Sequence, residues 1–360
     1  MIFMISIYNN YLSDLQSRLK EIQNFISLIE CQKKAYNELV STDLSNLSHL
    51  NNYKEYMGLL NNSTVQYNAI IISLYACYEH FVDDIAKAYL NQLFHLVKNY
   101  ENLPDSLQKK HIQKIAEFLV SPQRFKGYSI TNKEVLNNIA NCINETSEAK
   151  LNVSLILNHA GNLGINQLQE LLRDIGIENS IVSILKDDKF IRGRTSLDDT
   201  CTKETLKADK GNTIAFGPLE ELVSQRNSVS HGWVIDQRIS IEKIKSEILP
   251  FIGIICEAIC DLLHYEHVRV MFQEGLLLPF DDAIEIYNND ILCINSKDSL
   301  LHIGDYIFVK NTSTSYIAKI LSLQINGQEL SENTTSNIDI GLRLDKSVNK
   351  SCSFYYFPSL

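Results

Sequence analysis

The sequence predicts a mainly α-helical bundle followed by a small antiparallel β-barrel. Apolar residues recur at three- and four-residue spacing from residue 11 to about residue 272. From about Leu276 short alternating runs rich in Ile, Tyr, Phe and Val take over, separated by turn residues. A hydrophobic content of 45% over 360 residues is enough for a sizeable core, and the length implies two or three domains. The division falls near residue 273, giving a helical domain over 1–273 and a β-barrel over 274–360.

Leu12, Leu15, Leu19, Ile22, Ile26 and Ile29 set one apolar stripe, so residues 11–40 read as a helix. A loop rich in Ser and Asn follows, at about 41–52. A long helix then runs from about Thr64 to Val97, with Ile71, Leu74, Tyr78, Phe81, Ile85 and Leu93 inward and Glu79, His80, Asp83 and Asp84 at its middle. Pro104 starts a helix that ends near Val120. Thr131 and Glu134 have capping-box spacing and open the next one. The stretch Asn158-His159-Ala160-Gly161-Asn162 breaks the helical period. Asn166 opens a further helix, which Gly176 ends. Residues 186–216 form a long polar link containing Arg192, Arg194 and five lysines. Ser240 can cap a last helix reaching about Phe272, which Pro250 should kink or split. The segments AIEIY, DYIFVKN, YIAKILSLQI, IDIGLRL and SFYYF read as strands, with Asn326-Gly327 as a hairpin turn.

Net charge is −10, which excludes a generally basic RNA binder; any RNA contact must be a local patch. The eight cysteines show no C-x2-C pair and read as reduced thiols in a cytoplasmic protein. MIFMISIYNN lacks a basic leader and is not read as a signal peptide. Leu249 to Leu263 is broken by Glu257 and Asp261, so it reads as a buried helix and not as a membrane span. Cys256, Cys260, His264 and His267 fall near one helical stripe, but one straight helix cannot wrap four ligands around a tetrahedral ion. Neither a metal nor a cofactor is expected.

Chemistry concentrates in GPLEELVSQRNSVSHGW, residues 217–233. Pro218 suits a first helical turn, Glu220 and Glu221 favour its positive end, and Gly232 sits where the helix would stop. Arg226 offers a planar fork that fits phosphate, and His231 exchanges a proton near neutral pH. Those are the groups that cleavage of RNA beside a 2′-hydroxyl requires. On one ideal helix the two diverge by roughly 140°. A site shared between two copies, or a histidine just past the helix end, would bring them together.

The RNSVSHG string resembles the RN-x3-HG signature of the HEPN ribonuclease superfamily. The similarity extends over roughly residues 62–265 and is nearest to the RiboL-PSP-HEPN branch, with a neighbouring HEPN nuclease branch close behind. SLYACYEHFVDDIAKAYL, with Tyr75 and Glu79, LPDSLQKKHIQKIAEFL and NHAGNLGINQLQELLRDIGI resemble the family's other helical segments. The resemblance implies a HEPN-like helical bundle and a metal-independent endoribonuclease acting as a homodimer. Arg226 and His231 would carry the chemistry, with Asn227 between them. It also implies a setting in toxin or anti-phage defence systems, with RNA (tRNA among the candidates) as substrate and an antitoxin or sensor protein as a partner. The C-terminal run, with Gly304-Asp305, Lys319-Ile320, Gly341 and Lys350, is similar to the second, β-barrel domain of translation elongation factors; Ser351-Cys352 departs from that pattern. It reads as a recognition or assembly module.

Around this centre, Glu79 reads either as a groove residue or as a partner that positions Arg226. His159 reads either as turn chemistry or as a presented ligand contact. The link carrying Arg192 and Arg194 reads either as a solvated mobile loop or as an RNA-contacting flap. The rival to the nuclease is a non-catalytic HEPN-like interaction module of a defence or toxin–antitoxin complex.

Overall fold

The computed structural model describes residues 2–41, 48–60, 63–97, 99–125, 127, 129–159, 161–209, 211–232, 237–312, 314–333 and 335–358; the side chains of 2–7, 48–51, 59, 60 and 231 lie outside that description. The chain divides into two compact units. One comprises Ile7–Asn91 and Asn99–Leu262. The other comprises Leu263–Leu360 with Met1–Ser6 and Gln92–Lys98.

Helix α1 (Ile2–Ser41), which lies in the first unit from Ile7 on, is longer than the apolar stripe alone indicated. The polar stretch expected as a loop to residue 52 already contains α2 (Ser48–Leu60). Helix α3 (Ser63–Val97) buries Ile70, Ile71, Leu74 and Tyr78 completely. Helix α4 (Asp105–Val120) starts directly after Pro104. Helix α5 (Asn132–Ile143) carries the complete Thr131–Glu134 capping box. A short α6 (Val153–Ile156) precedes α7 (Ile165–Asp174), which turns out through Gly176. Gly176 has φ +98, and a Cβ there would meet Pro104 Cγ at 2.6 Å, so both backbone and packing demand glycine.

The polar link is not a loop. After α8 (Ser180–Ile184) it contains α9 (Asp188–Leu197) and α10 (Lys203–Ala208). Its anchors are apolar. Phe190 stacks on Phe216 at 5.4 Å between ring centroids and meets Phe251 edge-on at 6.3 Å. Asp187 caps α9 by accepting from the Phe190 N–H at 2.8 Å.

Helix α11 (Gly217–His231) buries Leu219 and Leu222 fully. Helix α12 (Ile241–Lys243), capped by Ser240, runs through a π turn at Ile244–Ile248 into α13 (Leu249–Gln273). Pro250 therefore neither splits the helix nor stands in a regular turn. Its ring would crowd the carbonyl four residues back, and the wider turn just before it makes room. Among the described residues no helix is long and apolar enough to cross a membrane.

In the second unit the polypeptide forms an eight-stranded antiparallel sheet: β1 (Leu278–Pro279), β2 (Glu285–Tyr287), β3 (Ile291–Asn295), β4 (Tyr306–Lys310), β5 (Ser315–Ile325), β6 (Gln328–Leu330), β7 (Asp339–Leu344) and β8 (Ser353–Tyr356). The path is β1-β8-β4-β5-β7-β3-β2, with β6 on β5. The β architecture is as the alternation indicated, but this path has two ends. The sheet is a curled half-barrel and not a closed barrel. Strand β5 turns the corner: it pairs β4 up to Lys319 and β7 from Ile320, with a register shift between Ile320 and Ser322. Leu292, Ile294, Ile307, Val309, Leu323 and Leu342 line one buried face. The C-terminal part of α13 adds Val268 and Phe272 to a cluster with Phe308.

Candidate functional site

The site is assembled from α3, the 158–164 segment and α11, all within the first unit. On α3, Tyr67, Tyr75, Glu79 and Asp83 are spaced by multiples of four, so they share one stripe of the helix. Tyr75 is the hub. Its hydroxyl donates to Glu79 Oε1 at 2.8 Å and accepts the Leu163 N–H at 2.8 Å. Burial pushes that hydroxyl well above the ordinary phenol range, and Glu79 adds to the shift while Arg226 opposes it. The hydroxyl therefore keeps its proton and donates it to the carboxylate. Over the same ring lies the Arg226 guanidinium, 5.2 Å from the centroid.

Asn227 Oδ1 accepts a hydrogen bond from Asn162 Nδ2. Ile165 N–H donates to Glu220 Oε1 at 2.6 Å, close enough that a Cβ on Gly164 would meet the same oxygen at 2.9 Å. Residues 162–165 are thus fastened to both α3 and α11. His159 Nδ1 faces the Gly161 carbonyl at 3.1 Å, and its Nε2 faces Asp83 Oδ1 at 3.4 Å. Both ring nitrogens meet acceptors, so the doubly protonated ring fits best. Asp83 accordingly raises the His159 pKa, against the opposing effect of burial.

The end of α11 is held separately. Gln225 accepts from the Tyr67 hydroxyl at 2.7 Å and donates to the Gln237 carbonyl at 2.9 Å. The Tyr67 hydroxyl also accepts the Ile239 N–H at 3.2 Å, and Arg238 lies over its ring. The chain beyond the helix is thereby drawn back along α11. The helix stops with Gly232 in extended backbone, φ −169, rather than in the left-handed region, so the conformational freedom of glycine is not used there. The backbone of His231 is the last of the helix; its side chain lies outside the described residues.

Of the residues singled out in the sequence, Arg226, Asn227, Glu79 and His159 come together here. Glu79 touches Tyr75, so its link to Arg226 runs through that ring. Arg192 is exposed on α9, its Nε donating to the Asp188 carbonyl of its own helix. Arg194 does not present itself to a substrate. It is 3% exposed and bonds the Ile214 carbonyl through Nε and Nη2, with Asp198 and Glu247 at 3.4 and 3.5 Å. These partners make it a clamp between α9 and the entry to α11. His80, at the middle of α3, is exposed.

Sequence reasoning missed Tyr67, Asn162 and Gln225, and saw Tyr75 only through family resemblance. The four-residue ladder on α3 was the available signal, because a polar stripe along a helix of otherwise buried apolar residues must face polar partners. Among the described residues no group of three or more His, Cys, Asp and Glu is arranged to hold a metal ion.

Chemically, the cluster presents a cation held by an aromatic face, an amide pair beside it, and a histidine facing a carboxylate. A family model described as RiboL-PSP-HEPN matches residues 13–265, more than half of the chain. No curated protein sequence matches it.

Proposed function

The chain belongs to the RiboL-PSP-HEPN family, and from that premise we propose that it is a metal-independent endoribonuclease. The observation that carries the reading is Arg226 on the face of Tyr75, with Asn227 next to it and, among the described residues, no carboxylate paired to the guanidinium. A half-buried arginine held in this way keeps its fork for a phosphate.

In the proposed reaction the 2′-oxygen attacks the adjacent phosphorus and the bond to the 5′-oxygen breaks. His231 takes the 2′-hydroxyl proton or gives one to the departing oxygen. Arg226 stabilises the charge on the phosphorane, and Asn227 orients the phosphate or the histidine. The product ends in a 2′,3′-cyclic phosphate, and the need for the 2′-hydroxyl selects RNA over DNA. The divergence of Arg226 and His231 on one helix favours a homodimer whose site combines both copies. In the wider proposal the protein is a cytoplasmic toxin or anti-phage effector, restrained by an antitoxin or sensor protein, and the β-rich unit serves recognition or assembly.

The test uses an RNA cut by the protein in EDTA and the same RNA with a single 2′-deoxynucleotide at the mapped cut. The proposal expects a cyclic phosphate end on the first and no cleavage at that position on the second. Cleavage that persists at the deoxy position would remove the 2′-hydroxyl mechanism.

A further inference from the structure

We propose that Tyr75 is a positioning residue for Arg226: its ring fixes the guanidinium while its hydroxyl occupies Glu79, so that arginine and carboxylate do not neutralise each other. The inference rests on the ribonuclease reading for its kinetic arm and on geometry alone for its spectroscopic arm.

Glu79 is the carboxylate of the cluster bonded directly to Tyr75, and the Arg226 guanidinium lies over the same ring, 5.2 Å from its centroid. An arginine that reaches a carboxylate ordinarily forms a forked ion pair, which would spend the donors that a phosphate needs. Here the carboxylate accepts from Tyr75 instead. The hydroxyl is in turn held by the Leu163 N–H, so the ring cannot swing away without losing two hydrogen bonds. Tyr75 is 2% exposed, and a buried ring in a fixed pose is a rigid platform. Attraction to a ring face leaves the edge of the guanidinium open, unlike a salt bridge. Asn162, next to Leu163, holds Asn227, so the same short segment sets both neighbours on α11.

The two functions of Tyr75 separate by substitution. Tyr75→Phe keeps the ring and frees Glu79; Tyr75→Leu removes both. Adding Glu79→Gln to Tyr75→Phe removes the competing charge again. We expect Tyr75→Leu to lower kcat by about tenfold with KM within about twofold, the size of one partly desolvated cation–π contact. Tyr75→Phe should fall in between, and the Tyr75→Phe/Glu79→Gln pair should recover toward wild type. A merely structural tyrosine would give no rescue by a second substitution that restores no packing.

The activity-independent readout is the ring-current shift of the Arg226 δ-protons by NMR. It should be present in the wild type and in Tyr75→Phe and absent in Tyr75→Leu. Loss of that shift with unchanged kcat, or equal kcat in the Phe variant and the Phe/Gln pair, would overturn the proposal. Should the wild type cleave no RNA, the ribonuclease reading fails. The shift would then still decide whether the ring holds Arg226, and its absence in the wild type would overturn the proposal.

Discussion

Two polar networks in the same unit use similar groups to opposite ends. In the first, His111 is fully buried. Its Nε2 accepts the Asn152 N–H at 3.1 Å, so its Nδ1 carries the proton and faces the Tyr100 hydroxyl at 3.2 Å. Asn152 Oδ1 accepts from Asn138 at 2.8 Å and its Nδ2 donates to the Val135 carbonyl at 3.3 Å, so the path stays among buried protein groups. In the second, around Tyr75, the chain of contacts ends on Arg226, Asn227 and His159, each half-buried. A closed network holds helices together. An open one ends on groups that a ligand can complete.

The comparison breaks most sharply if Arg226 is removed. Arg226→Ala should lower kcat for RNA cleavage at least about 100-fold, as for a group that stabilises transition-state charge, with a melting temperature close to wild type. His111→Ala should do the reverse. It strands the Asn152 N–H and leaves a cavity, so it should cost about 2–4 kcal/mol in urea unfolding and leave activity per folded molecule unchanged.

The two histidines should also oppose each other in pH dependence. Burial lowers the His111 pKa from 6.5 to about 4. Between those values the unfolded chain binds the extra proton. The His111 contribution is therefore complete above about pH 6.5 and lost as pH falls toward 4, about 3 kcal/mol in all. His159 has its folded pKa raised by Asp83, so its contribution is complete below about pH 6.5 and fades as pH rises through the folded value. Unfolding midpoints of His111→Gln and His159→Gln measured from pH 4 to 8 should flatten opposite limbs of the wild-type curve.

The smallest effect concerns the end of α11. Gly232 is extended, and among the described residues a Cβ there meets nothing within 4 Å. Gly232→Ala should change stability by less than about 0.5 kcal/mol, whereas a left-handed cap would lose about 1 kcal/mol. Thermal unfolding distinguishes the two.

Helical periodicity located α3, α4, α7 and α11 because each buries a continuous stripe. It overlooked α9 and α10, where charged residues outnumber the few apolar anchors such as Phe190 and Leu206. In the sheet, Asn326-Gly327 marked its hairpin, with both residues at positive φ. Strand β3 was missed, although Asn288 and Asn289 form the equivalent left-handed turn before it, φ 52 and 60. Curvature was not legible, because it depends on the register shift in β5. At the site, residue types pointed to Arg226 and His231, and the family resemblance added Asn227. The part of Tyr75, Asn162 and Gln225 lies in contacts 65 to 158 residues apart along the chain, which no local pattern contains.

The most direct measurement is cleavage of total RNA and of tRNA in EDTA by the wild type, Arg226→Ala and His231→Ala at equal folded concentration. The account predicts cleavage by the wild type and loss in both variants. Undiminished cleavage by both variants would contradict the assignment of the site, and no cleavage by a verified wild-type dimer would favour a binding module over a nuclease.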